Sequence, residues 1–205
     1  MKHLGAGAFP LLRKLDLTNN QLTNAVGGIL ATSEFTEQLR ELTLNHNDIG
    51  LAGITGLIAG RWTNLRSLSL ARNPIGDSGI RWLADAPIVE GLRQLTLNMI
   101  GLTDTGFKVL VASPGIARLR TLNLYNNRVT DVGLRAIAAS PYLDRLESIS
   151  LFGCPVTETG IATLAESPQL PRLWKIEVDP SVLTAWIRVR LNQRFEAPFH
   201  SESQS

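Results

Sequence analysis

Few side chains in this 205-residue chain could carry out a reaction. Cys154 is its one cysteine, and a thiol becomes a nucleophile when an adjacent base takes its proton. The candidate bases are His3, His46 and His200. Two lie near the chain ends, and none is spaced to pair with the thiol. No group of His, Cys, Asp and Glu recurs at metal-ligand spacing. The expectation is therefore a protein with no catalytic residue, metal or cofactor, and not an enzyme. Charge is arranged more suggestively. Arg13, Arg40, Arg66, Arg93 and Arg120 form one evenly spaced series, and Asp77, Asp104, Asp131 and Glu158 form another. The arginines read either as a basic strip for an acidic partner or, with the acids, as complements to helix dipoles, each contact contributing about 0.3–1 kcal/mol. The remaining chemistry is recognition. Tyr125 and Phe152 stand 27 residues apart, with Met99 and Trp174 as companions, and exposed aromatic pairs are candidate binding hot spots.

What must position these groups is a nine-residue pattern, leucine-x-x-leucine-x-leucine-x-x-asparagine. It appears as Leu12, Leu15, Leu17, Asn20, and then as Leu39, Leu42, Leu44, Asn47. Leu65, Leu68, Leu70, Asn73 follow, then Leu92, Leu95, Leu97, Ile100 and Leu119, Leu122, Leu124, Asn127. It relaxes to Leu146, Ile149, Leu151, Cys154 and to Leu173, Ile176, Val178, Ser181. Successive first leucines are 27, 26, 27, 27, 27 and 27 residues apart. A fixed period of this size means stacked repeats. Cys154 falls at the asparagine position, where a small buried polar residue fits. His46 lies four repeats away, about 19 Å at one strand spacing per repeat.

Within one unit, Leu122 and Leu124 alternate with Thr121 and Asn123, a strand with leucines inward and polar residues on the open face. Asn127 follows where the chain turns and can bond backbone groups of neighbouring units. Thr130 and Asp131 are residues of a helix start. Leu134, Ile137 and Ala138 continue at helical spacing, and Ser140-Pro141 ends the helix. The glycines at 53, 79, 106, 133 and 160 are expected to serve the strand-to-helix passage. Trp62 and Trp82 fall on the helical or return side and are expected to pack between repeats.

Parallel strands with helices on the other side give an α/β solenoid. Helices are about 10 Å wide and strands about 4.8 Å apart, so stacking curves it into a horseshoe with the sheet concave. The most central open-face row is then Asp16, Thr43, Ser69, Thr96, Asn123, Ser150 and Glu177. The next row outward is Thr18, Asn45, Ala71, Asn98, Tyr125, Phe152 and Asp179. Tyr125 and Phe152 are neighbours on adjacent strands there. They read as a binding pair, or as a mutual contact that stabilises the sheet. The candidate partner-binding residues are Tyr125, Phe152, Asn98, Met99, Asn123 and Trp174.

Composition agrees. Hydrophobic residues make up 44% and charged residues 19%, which suits a soluble chain with a continuous apolar interior. A net charge of +2 argues against nucleic acid. The apolar stretch at the N-terminus is too short to be expected as a secretory signal, and no run of about 18 apolar residues exists to span a membrane. A lone thiol fits a reducing compartment, so the expected location is cytoplasmic.

The repeats resemble leucine-rich repeats, and the 26- to 27-residue unit is similar to the ribonuclease-inhibitor-like class, especially its bacterial members. The motif Leu-Arg-x-Leu-x-Leu-x-x-Asn-x-Val-Thr-Asp-x-Gly-Leu and the recurring Ser-Pro carry the likeness, over roughly residues 11–181. It implies a horseshoe solenoid and a protein-interaction scaffold binding a protein or peptide on its concave face. It also leaves open an enzyme modulator of the GTPase-activating or inhibitor type, or the repeat portion of a larger protein. The expected organisation is a partial repeat at 1–11, in which Leu4, Phe9 and Leu11 cover the first strand thinly. The solenoid of about six repeats plus a final strand spans 12–181, a capping helix 182–196 and a loose tail 197–205. The thin N-terminal edge is an expected surface for self-association.

Overall fold

The computed structural model describes Phe9 and residues 11–195. The tail expected at 197–205, and most of the fragment expected at 1–11, lie outside the described residues, together with His3, Leu4 and His200. Seven three-residue strands form one open sheet in chain order. They are β1 (Lys14–Asp16), β2 (Glu41–Thr43), β3 (Ser67–Ser69), β4 (Gln94–Thr96), β5 (Thr121–Asn123), β6 (Ser148–Ser150) and β7 (Lys175–Glu177). Every pairing is parallel, and Leu15, Leu42, Leu68, Leu95, Leu122, Ile149 and Ile176 stand in register across the sheet. Six helices alternate with the strands: α1 (Ala25–Ala31), α2 (Leu51–Leu57), α3 (Gly76–Ala84), α4 (Asp104–Val111), α5 (Asp131–Ala138) and α6 (Glu158–Ala165). A seventh, α7 (Ala185–Phe195), follows β7 and packs on α6. This is the α/β repeat solenoid that the periodicity predicts.

The core is one apolar column running the length of the stack. Leu68, Leu122, Ile149, Ile80, Ile137 and Ile161 are fully buried in it. Ile187 and Leu191 bury one face of α7 against the last repeat, with Leu183 buried just ahead of the helix, whereas Trp186 on the same helix is half exposed, beneath the Arg190 guanidinium at 4.5 Å. Trp62 packs between repeats as expected, its Nε1 donating to the Leu57 carbonyl at 2.7 Å. Trp82 does not: it is 56% exposed on α3, beside a shallow recess of about 400 Å³ lined by Ile58, Arg81 and Pro87.

Three sets of polar bonds join neighbouring units. The buried Asn127 amide donates to the Leu97 and Leu124 carbonyls, and its Oδ1 accepts from the Ile100 and Leu102 N–H groups. Asn47 and Asn73 do the same in their own units. At the helix starts, Asp77 accepts from the Thr103 N–H and hydroxyl at 2.8 and 2.6 Å. Asp104 binds Thr130 and Gly133, and Asp131 binds Thr157. Each of these aspartates thus anchors the N-cap threonine of the next unit's helix, and Asp104 also takes a helical N–H, a sharper role than a general helix-dipole complement. At the helix ends, the Ser113, Ser140 and Ser167 hydroxyls donate to the Ala84, Val111 and Ala138 carbonyls of the preceding helix.

The repeating glycines have a second cause besides the expected one. Gly106, Gly133 and Gly160 sit inside helices, at ordinary helical φ. A Cβ on Gly133 would lie 2.6 Å from Val129 Cγ1 and 2.7 Å from Asp104 Oδ1. The missing side chain makes room for a residue of the strand-to-helix passage, as expected, and also for the inter-repeat acid; at Gly79 the close neighbour is Ile75 of that passage, at 2.4 Å.

Candidate functional site

Where each strand leaves the sheet, one residue per unit turns into the left-handed region: Asn19, His46, Arg72, Met99, Asn126 and Gly153. Their N–H groups, from Asn19 to Asn126, donate to the outgoing carbonyl of the next unit. Met99 N–H bonds the Tyr125 carbonyl and Asn126 N–H bonds the Phe152 carbonyl, both at 2.9 Å. These bonds offset the conformational penalty of left-handed geometry for residues with a side chain. They also hold Met99, Tyr125 and Phe152 in one backbone ladder. Gly153 has no alternative, since a Cβ there would lie 2.2 Å from Asn126 Oδ1.

The paired register Asn123↔Ser150 brings Tyr125 and Phe152 side by side. Their rings stack, with centroids 5.8 Å apart and planes 12° from parallel. Such a pair contributes about 0.5–1.5 kcal/mol beyond its buried area. It remains open to solvent: Phe152 is 40% and Met99 37% exposed, and Tyr125 is half-buried. Asn123 is half-buried, and its Oδ1 accepts from the Tyr125 N–H at 3.1 Å, fixing the chain as it leaves β5.

Asn98, one strand earlier in the same row, carries a buried Oδ1 with no hydrogen-bond partner. The cause is visible in an equivalent unit. Asn45 Oδ1 accepts from the Ser69 hydroxyl and the Ala71 N–H of the next strand. For Asn98 the matching positions are Asn123 and Tyr125, and Asn123 has already taken the Tyr125 N–H. A buried acceptor left in this way costs about 1–3 kcal/mol. The orphan could not be read from one repeat, because it arises from competition between two.

Asp179 closes the row beyond Phe152. The Ser181 N–H and hydroxyl hold its carboxyl below the usual range. Trp174 is 61% exposed but precedes β7. It lies five residues before Asp179, about 16 Å along the strand, so the structure does not bring it into the aromatic patch.

Cys154 takes the ladder position, its thiol donating to the Leu124 carbonyl at 3.2 Å. Burial pushes its pKa up, against smaller opposing effects from the Asn127 and Val129 backbone, so the nucleophilic thiolate is disfavoured. Among the described residues no cluster of His, Cys, Asp and Glu could hold a metal, and no helix is long and apolar enough to cross a membrane.

A seven-fold strand–helix repeat with an asparagine ladder defines an α/β leucine-rich repeat solenoid. Four segments, 10–25, 38–57, 63–84 and 119–138, match a family model described as Leucine Rich repeat. Fold and matches together support a leucine-rich repeat protein; such repeats generally mediate protein–protein interaction and are typically non-enzymatic. No curated protein matches the chain.

Proposed function

We propose that this chain is an interaction scaffold that holds a protein or peptide partner on the open face of its sheet. The contact centres on Tyr125 and Phe152, with Asn98, Met99 and Asn123 around them. The observation that carries the reading is the solvent-open ring stack beside an unpaired acceptor. A rigid apolar surface next to a group that lacks a donor gains from a partner that supplies both. Because inter-repeat bonds hold the surface before binding, little ordering cost opposes association. Trp174 lies outside this contact.

The test compares capture of partners by wild type and by Tyr125→Ala with Phe152→Ala, alongside thermal melts. The expected result is a partner held by wild type and weakened by about 2 kcal/mol or more in the variant, with both chains folded. Equal capture by both, or unfolding of the variant, would refute the assignment.

A further inference from the structure

The strand-start edge carries charge that the open-face contact does not use and that folding uses only in part. Arg13, Arg40, Arg66, Arg93 and Arg120 each stand immediately before a strand, β1 to β5. The register puts successive members one strand apart, about 4.8 Å. Had the row served the helix dipoles, its guanidiniums would reach last-turn carbonyls. In α3, α4 and α5 those carbonyls are taken by Ser113, Ser140 and Ser167. Arg66 donates instead to the Thr63 and Leu65 carbonyls of the return loop, and Arg120 pairs with Glu147 at 2.9 Å. Arg40 and Arg93 are exposed, and among the described residues their side chains have no hydrogen-bond or ion-pair partner. Arg118, Arg145 and Arg172, also exposed, extend the positive charge along the same edge.

The acids at this edge are partly committed. Glu37 pairs with Arg61, Glu41 with Lys14 and Glu147 with Arg120, which leaves Glu34, Asp85, Glu90 and Asp144 exposed in the segments between helix end and strand start. The chain as a whole carries only +2, so the charge is segregated here and not spread as a general surplus.

We propose that this edge is a second docking surface, which takes an extended acidic segment of a partner protein, with Arg40, Arg66 and Arg93 as its central contacts. Three adjacent row members span about 10 Å, the length of about three residues of extended chain. Carboxylates on one side of such a segment come within reach of guanidinium forks, which bind carboxylates in a fixed planar geometry. A continuous phosphate backbone fits less well. Glu90 and Asp144 would interrupt it, and the exposed ring of this row, Trp174, stands before β7, three strands beyond Arg93 and apart from the central contacts. This surface is separate from the Tyr125–Phe152 contact, and either can fail without the other.

The experiment is fluorescence anisotropy with a labelled oligo-glutamate peptide. Wild type is compared with Arg40→Glu/Arg93→Glu and with Arg72→Glu/Arg128→Glu, a control that makes the same change in net charge where the strands end. Wild type and control are expected to bind, more weakly as salt rises, with the edge variant about tenfold weaker. Circular dichroism melts check folding, and Arg40→Gln/Arg93→Gln replaces the edge variant if reversal lowers its melting point. Absence of peptide binding by wild type, or equal losses in the edge and control variants, would overturn the proposal. So would tighter binding of a single-stranded oligonucleotide of matched charge.

Discussion

At the scale of single residues, two asparagines of the same solenoid should respond oppositely to truncation. Asn127→Ala removes four bonds from a buried amide and is expected to cost about 3 kcal/mol in a denaturant melt, because backbone donors and acceptors are left buried without partners. Asn98→Ala deletes an acceptor that already lacks a donor, so stability is expected to hold or rise. If Asn98 meets the partner, affinity falls while stability does not, and measuring both on one variant separates binding from folding. Cys154 gives a third prediction. Its thiol is buried and its pKa raised, so the folded chain should react with a thiol reagent far more slowly than the denatured chain. Comparable rates in both states would place the thiol at the surface.

At the scale of elements, the same substitution tests two helices. Gly133→Ala in α5 forces a Cβ to within 2.7 Å of the Asp104 carboxylate that caps the helix. It should cost about 1–3 kcal/mol, through overpacking and a weakened cap. Gly28→Ala in α1 meets nothing within 4 Å and should stabilise by about 0.5–1 kcal/mol, the ordinary helix preference for alanine. Thermal melts of the pair decide the point. Equal effects would mean that the inter-repeat cap does not constrain the helix starts.

At the scale of the whole molecule, each unit contacts its neighbours and little else, as in other stacked repeats. Interior strands have a strand on both sides, whereas β1 and β7 have one strand neighbour each. Amide exchange should therefore be slowest at interior bonds such as Leu97 N–H to Asn123 and faster at Leu17 and Leu151, which bond next to the ends. A uniform profile would indicate one cooperative unit with no local opening. The two proposed surfaces, an aromatic patch where strands end and a basic row where they begin, would let one partner be read at two points of the stack.

The period alone was enough to predict the solenoid, the inward leucines and the aromatic pair, because each depends on alternation within one short segment and its copy one repeat later. The row holding Asn98, Tyr125 and Phe152 was legible for the same reason. Other features depend on two units meeting, through atoms 26 to 30 residues apart in the chain. Asp77 anchors the N-cap threonine of a helix that is not its own, and Asn98 loses its donor to Asn123 only when β4 and β5 lie side by side. Trp82 is exposed and Trp62 buried although both were expected between repeats, since the packing of neighbouring helices decides which ring has room. Trp174 shares the end of the stack with Phe152 but not the end of the strand. A sequence repeat specifies what each unit offers its neighbours; only the assembled stack determines which offers are taken up and which remain open to a partner.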